Sequence, residues 1–454
     1  MNSLRIVAFV VAFASGLDAG IVSGQEKRVD QAPASFGIGE SQVVTLAGRA
    51  RLMCWIQFPP LGGDPNQLQV VCRRNPSGEM LEPPVVVSTT PPVGGFSNLR
   101  IQAKGNQVYA AWERVANFEP LLYEIRFSRS TDGGASWEPD RLLSQPGVNT
   151  DGGFDLKSGP GSDIYVVFAA PGPFYRIFCR RSLDGGQTWQ PGTRVDRSPA
   201  GATRPSMATD STGRIAVAWR DGRLGSSIFG NASDNRGQSF GASDALISDQ
   251  EGLGIQAAID GAGTFLVGFE AALFNSFEAH VSRSADGGHT WEPPQRIDST
   301  PNGIEPATME LQSGSNGRVY AVFVERGPNS ERRLTFRKTD DGGVTYAPPT
   351  RLDDAPAGTQ VFFAKVQGSA AGNVLAIWAQ LADGLSPGIV LARSSSDFGT
   401  SWSDLATLSN NTVVQRAFPD VTLNPGGTSG AVTWQRGGSP TQKLFFTAVG
   451  ITAP

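Results

Sequence analysis

The 454-residue sequence has only two histidines, His280 and His289, and three cysteines, Cys54, Cys72 and Cys179. A zinc cluster at ligand spacing cannot be assembled from so few N and S donors, so no metal and no other cofactor is expected. Lys and Arg total 38 against 42 Asp and Glu, and no basic run exceeds two residues. This excludes the basic footprint that nucleic-acid binding requires. The phosphate-cradling GxxxxGK[ST] run and the GxSxG nucleophile elbow are both missing. After Tyr346 the chain contains no tyrosine.

Long apolar runs are also scarce. The one example, IVAFVVAFASGL after Arg5, is shorter than the roughly 20 residues of a membrane-spanning helix. A basic start, this apolar stretch and the small residues Val22-Ser23-Gly24 have the three parts of a signal peptide. Residues 1–24 are therefore expected to be removed on export to the periplasm or extracellular space. The expected mature protein, 25–454, is one domain with no membrane attachment.

What the chain has in quantity is glycine (55), proline (31), phenylalanine (25) and tryptophan (9). Turn residues with many aromatics favour an all-β fold, and the turns recur. The octet STDGGASW at Ser130–Trp137 returns as SLDGGQTW at Ser182–Trp189, SDNRGQSF at Ser233–Phe240 and SADGGHTW at Ser284–Trp291. It returns again as TDDGGVTY at Thr339–Tyr346 and SSDFGTSW at Ser395–Trp402. The third position is Asp132, Asp184, Asn235, Asp286, Asp341 and Asp397. The last is Trp137, Trp189, Phe240, Trp291, Tyr346 and Trp402.

A second signal has the same period. Alternating apolar runs end in an aromatic at Trp55, Trp112, Phe168, Trp219, Phe269, Phe323, Trp378 and Trp434, spaced 50–57 residues apart. Period-two alternation marks these runs as strands. Each unit reads as four strands, A to D, with the aromatic run as B and the octet between C and D. Such units repeated radially make a β-propeller, with eight blades expected and seven as the alternative. The chain ends on a C strand, whereas KRVDQAP at Lys27–Pro33 matches the D segment TRVDRSP at Thr193–Pro199. The N-terminal strand should thus complete the last blade and remove an exposed edge.

The octets resemble the Asp-box, or BNR repeat, of the sialidase superfamily. The resemblance implies a propeller with each box at the C–D turn and a site on the opposite face, where the B–C and D–A loops lie. Family sialidases have six blades, fewer than the eight units here. The box aspartates are spread around the ring, so they are expected to be structural. Each carboxylate can accept N–H groups of its own turn, and each aromatic can fill the gap between sheets.

The opposite loops supply Glu113, Arg204, Arg220, Asp221, Arg223, Glu305, Arg416 and Arg436 as candidate ligand-binding residues. Arginine forks suit acidic sugars, but the same residues can tie blades together. The resemblance implies, for a working sialidase, three arginines, an Asp acid and a Tyr–Glu nucleophile. Tyr109, Tyr165 and Tyr320 alternate inside B strands and Tyr346 belongs to a box. Tyr123 and Tyr175 come too early in the chain, and Arg204-Pro205 is only an echo of the early family motif. No catalytic residue is therefore assigned. The expected function is a secreted glycan- or protein-binding scaffold. The alternatives are an exo-acting, sialidase-like glycosidase on acidic glycans and a structural propeller of a surface assembly. Cys54 and Cys72 fall symmetrically about Gly62-Gly63, as partners opposite each other in a hairpin would, and Cys179 should be a free, packed thiol.

Overall fold

The computed structural model describes residues 20–452, apart from 34, 61, 78–79, 120, 145–152, 302, 307, 328–330, 357, 382–387, 410–417 and 438–441. The described chain is eight antiparallel sheets in a ring, a β-propeller. In blades 1 to 4 the innermost A strands are Gly37–Thr45, Phe96–Lys104, Phe154–Ser158 and Ala202–Thr209. In blades 5 to 8 they are Gly252–Ile259, Glu310–Ser313, Gln360–Gly368 and Asp420–Leu423.

The B strands explain why the ring forms. Their alternating residues place one large aromatic per blade between adjacent sheets. Trp55, Trp112, Trp219, Trp378 and Trp434 are fully buried, with Phe168, Phe269 and Phe323 in the same role. No single sheet can bury both its faces, so each blade depends on its neighbours.

Closure follows the sequence expectation. Blade 8 consists of Asp420–Leu423, Ser429–Arg436 and Lys443–Thr452, and Lys27–Arg28 supplies its fourth strand against Phe445 and Phe446. A further segment, Gly20–Ser23, pairs with Val449–Thr452 on the same edge. The sequence reading did not anticipate this strand, and it overlaps the expected cleavage site. The apolar run before it lies outside the described residues. Among the described residues no helix is long and apolar enough to cross a membrane.

The boxes are built alike. In blade 3, the Ser182 hydroxyl accepts the Gly186 N–H at 2.8 Å and donates to Asp184 at 2.7 Å. Asp184 also accepts the Thr188 N–H at 2.9 Å and its hydroxyl at 2.6 Å. Gly186 adopts φ +81°, where a side chain would lie 2.6 Å from the Phe127 ring of blade 2. Trp189 meets that ring edge-on at 5.0 Å, and Trp402 repeats the contact on Phe336 at 4.9 Å. Partial burial pushes the carboxyls of Asp132, Asp184 and Asp286 upward. The hydrogen bonds from the box Ser or Thr outweigh it and hold all three at about 2.

Cys54 and Cys72 are direct partners across strands B and C of blade 1 and form a disulfide. Cys179 is free and buried, and burial pushes its thiol up to about 12.

Candidate functional site

Strand A begins and strand B ends at one end of the ring, whereas C ends, and the boxes sit, at the other. Two openings lie away from the boxes. A mouth cavity of about 520 Å³ is lined by the starts of the A strands of blades 1, 2, 6, 7 and 8. A second cavity, of about 530 Å³, continues along the axis beside blades 2 to 6. Gln42, Arg100, Glu310 and Lys365 line both.

A register rule connects these residues. On each A strand, one residue pairs with the residue just before the B-strand aromatic. The eight are Gln42, Arg100, Asp155, Ser206, Gln256, Glu310, Lys365 and Asp420, one per blade. Five of them clasp the next blade by accepting the backbone N–H one residue beyond its own ring position. Gln42 takes the Ile101 N–H at 2.7 Å and Asp155 the Met207 N–H at 3.0 Å. Ser206 takes the Ala257 N–H at 2.9 Å and Gln256 the Leu311 N–H at 2.6 Å. Asp420 takes the Val43 N–H at 2.8 Å, across the seam where the two chain ends meet.

Arg100, Glu310 and Lys365 make no such clasp. A positively charged side chain cannot accept the bond, and Glu310 instead accepts from Lys365 Nζ at 2.8 Å. Burial works against the Lys365 charge, but Glu310 and Asp420 outweigh it and its pKa is raised. Asp420 is pushed up to about 6, first by burial, with Lys365 and the Val43 N–H opposing.

Just before this ring the A strands are irregular. The pairing with strand B slips in blades 1, 2, 4, 5 and 7. Around the mouth Asn98, Arg204, Phe363 and Phe418 all adopt positive φ, between 34° and 54°. Non-glycine residues in this region are uncommon and strained, and bulges re-aim side chains. The result at blades 7 and 8 is an aromatic pair. Phe363 and Phe418 have ring centroids 4.4 Å apart, and they remain 38% and 40% exposed at the cavity rim.

The structure brings one member of the sequence-derived set to these cavities. Arg204 is exposed and lines the axial cavity. Arg223 instead donates to Asp221 at 2.9 Å and Asp244 at 2.5 Å, and covers the Phe229 ring at 3.9 Å. Asp221 is buried and also accepts the Trp219 indole N–H at 2.9 Å. Burial raises its carboxyl, but the bonds from Arg223 and Trp219 hold it below the usual range. Arg220 pairs with Glu251 at 2.5 Å, Glu305 with Arg326 at 2.8 Å, and Arg436 with Glu26 at 2.5 Å. Glu113 is buried under the blade 2 bulge, where it accepts from Asn98 at 2.5 Å and Ser97 at 3.2 Å; burial pushes its carboxyl up. Arg416 lies outside the described residues.

Sequence reasoning missed Phe363, Phe418 and the unclasped ring positions. A signal existed, because the ring residues lie 12–14 positions before each B-strand aromatic. The tyrosines are elsewhere. Tyr109, Tyr165 and Tyr320 are buried, and among the described residues no tyrosine lines either cavity. His280 is buried and stacked on Phe269, and His289 contacts Asp234 of the preceding blade's box at 2.8 Å. No cluster of metal-ligating side chains occurs among the described residues.

Comparison with known proteins agrees with the architecture. The BNR repeat-like domain family matches residues 233–431. No curated protein matches the chain. Among solved structures, the BP39L lectin of Burkholderia pseudomallei is similar over 82% of this chain and 100% of its own, at 11% identity and TM-score 0.52. A Dyadobacter fermentans protein of unknown function matches over 95% and 100%, at 15% identity and TM-score 0.48. The polysaccharide lyase Uly1 matches over 80% and 92%, at 12% identity and TM-score 0.49. At 11% identity the likeness to the lectin is one of fold. The ring of sheets makes this chain an eight-bladed β-propeller, of which residues 233–431 match the BNR repeat-like domain family.

Proposed function

We propose that this protein is an exported saccharide-binding propeller whose ligand sits at the channel mouth on the B–C and D–A loop face. One observation carries the reading: the exposed, tilted Phe363–Phe418 pair stands over a cavity floored by charged ring residues. Aromatic faces stack on the C–H faces of sugars, while charged groups beneath take hydroxyls. This combination of an apolar wall with a few placed polar groups is what small-molecule sites require. Arg204 lines the axial cavity on the blade 4 side, apart from the aromatic pair. Arg220, Arg223 and Arg436, paired with carboxylates, and Glu113, Asp221 and Glu305, accepting from neighbouring donors, hold the loops that frame the mouth.

The Cys54–Cys72 disulfide supports export, because such bonds persist in oxidising compartments. Mass spectrometry of the mature N-terminus tests this directly. A chain still beginning at Met1 would count against export.

The binding reading is tested on a glycan array with purified protein and a Phe363→Ala/Phe418→Ala variant. Binding by the parent, reduced at least tenfold in the variant, is expected. A second reading, glycoside hydrolysis, draws on Glu310 and Asp420, two mouth carboxylates in unlike surroundings, as acid–base pairs require. Release of sugar from a glycoside panel, abolished by Glu310→Gln, would favour that reading over binding alone.

A further inference from the structure

The ring of clasps indicates which kind of saccharide the mouth takes; the inference rests on the binding reading above. An eight-fold repeat has no intrinsic reason to single out one side of its channel. Here the repeat is broken at three ring positions. Blades 1, 3, 4, 5 and 8 commit their ring side chain to the next blade. Blade 6 offers a carboxylate and blade 7 an ammonium group, and these two meet at 2.8 Å. Glu310 is turned to Lys365, and among the described residues no blade 6 side chain bonds the Val366 N–H, the group that the shared register assigns to a clasp.

The ion pair lies below the Phe363–Phe418 rings, which belong to blade 7 and the start of blade 8. The charge at the mouth is balanced or slightly negative. Arg100 and Lys365 face Glu310 and Asp420, and Glu40 is occupied by the Asn98 and Leu99 N–H groups at 3.0 and 2.8 Å. An anionic sugar placed there would gain no excess of positive charge and would meet carboxylates. A neutral sugar would gain an acceptor in Glu310, a donor in Lys365 and a flat apolar wall. The bonds to charged groups would be the stronger kind.

We infer that the mouth binds a neutral saccharide unit, with adjacent hydroxyls bridged between Glu310 and Lys365 and one ring face stacked on Phe363 and Phe418. The opposite side of the channel, with Arg204 and Lys157, is where an acidic ligand would go instead.

The test is an array of neutral and acidic oligosaccharides, followed by calorimetry on the best binders at low and high salt. Glu310→Gln, Lys365→Met and Arg204→Ala are compared with the parent. None of the three substituted side chains clasps a neighbouring blade, so their melting temperatures should stay near that of the parent. Lys365→Arg serves as a charge-retaining control should Lys365→Met unfold. Neutral oligosaccharides should bind, with affinity reduced at least tenfold by Glu310→Gln and by Lys365→Met. Salt and Arg204→Ala should change it little. Acidic oligosaccharides bound alone, weakened by salt and by Arg204→Ala, would overturn the inference while leaving saccharide binding in place. Neutral binding unchanged in both ring variants would overturn the residue assignment. Absence of binding to any saccharide would remove the functional reading itself.

Discussion

The aspartates that make this sequence recognisable act within their own turns. Each box carboxylate is consumed by the Ser or Thr two residues before it and by the residue four after it, as in Ser130–Asp132–Ser136. Asp132, Asp184 and Asp286 are held at about 2, below the unfolded carboxylate value of about 3.9. A depressed folded pKa contributes stability above the unfolded value that is lost as pH falls. Thermal stability should therefore drop between about pH 4 and 2, and an Asp132→Asn/Asp184→Asn/Asp286→Asn variant should show a shallower drop in a calorimetric pH series.

Asp420 has the opposite sign. Its folded value of about 6 means that it binds the proton more tightly in the native ring. Its contribution is complete below the unfolded value and is lost as pH rises through about 4 to 6. Asp420→Asn should flatten that window and leave the acid limb unchanged. Truncating the box aromatic Trp189 to Ala should cost about 3 kcal/mol by unpacking it from Phe127, as chemical denaturation would report.

At the scale of elements, the inner strands carry two jobs on one register. Where the ring residue can accept, it ties its blade to the next. Gln256→Ala should remove the bond to the Leu311 N–H and leave a buried donor unpaired, at a cost of about 1–3 kcal/mol in denaturant unfolding. Lys365→Met breaks only a partly exposed ion pair and should change stability by less than about 1 kcal/mol. Equal losses in the two variants would refute the division between clasping and free positions. The bulges preceding the ring were not visible in the sequence. Left-handed residues precede the ring at Asn98, Gly153, Arg204, Gly254, Phe363 and Phe418, and no shared residue type marks them. The B–C hairpin of blade 1 is pinned by Cys54–Cys72, which lie 18 residues apart in sequence. Replacing both cysteines by serine should lower stability by about 3 kcal/mol, seen as an earlier denaturation midpoint.

At the scale of the whole molecule, the ring is closed by a segment more than 400 residues away from its partner in sequence. Lys27–Arg28 and Gly20–Ser23 cover the last strand of blade 8, which would otherwise present unpaired N–H and C=O groups. A chain starting at Phe36 should melt earlier and elute from size exclusion as larger species than the parent. Elution and melting identical to the parent would show that this edge needs no cover.

The sequence by itself determined the all-β propeller class, the strand order within each blade and the closing strand, and it favoured eight blades over seven. These follow from period-two alternation and spacing that recur eight times and turn chemistry that recurs six times, all of them local. It did not determine the ligand site. Arginines and carboxylates in the outer loops have the right chemistry, but distance decides whether they face a ligand or each other. Arg223 is within reach of Asp221 and Asp244, and Arg220 of Glu251. Phe363 and Phe418, 55 residues apart, become a pair only because blades 7 and 8 are neighbours and both chains turn left-handed at the rim. Only the tertiary structure brings eight equivalent positions onto one axis, and only there does it matter that three of them do not clasp.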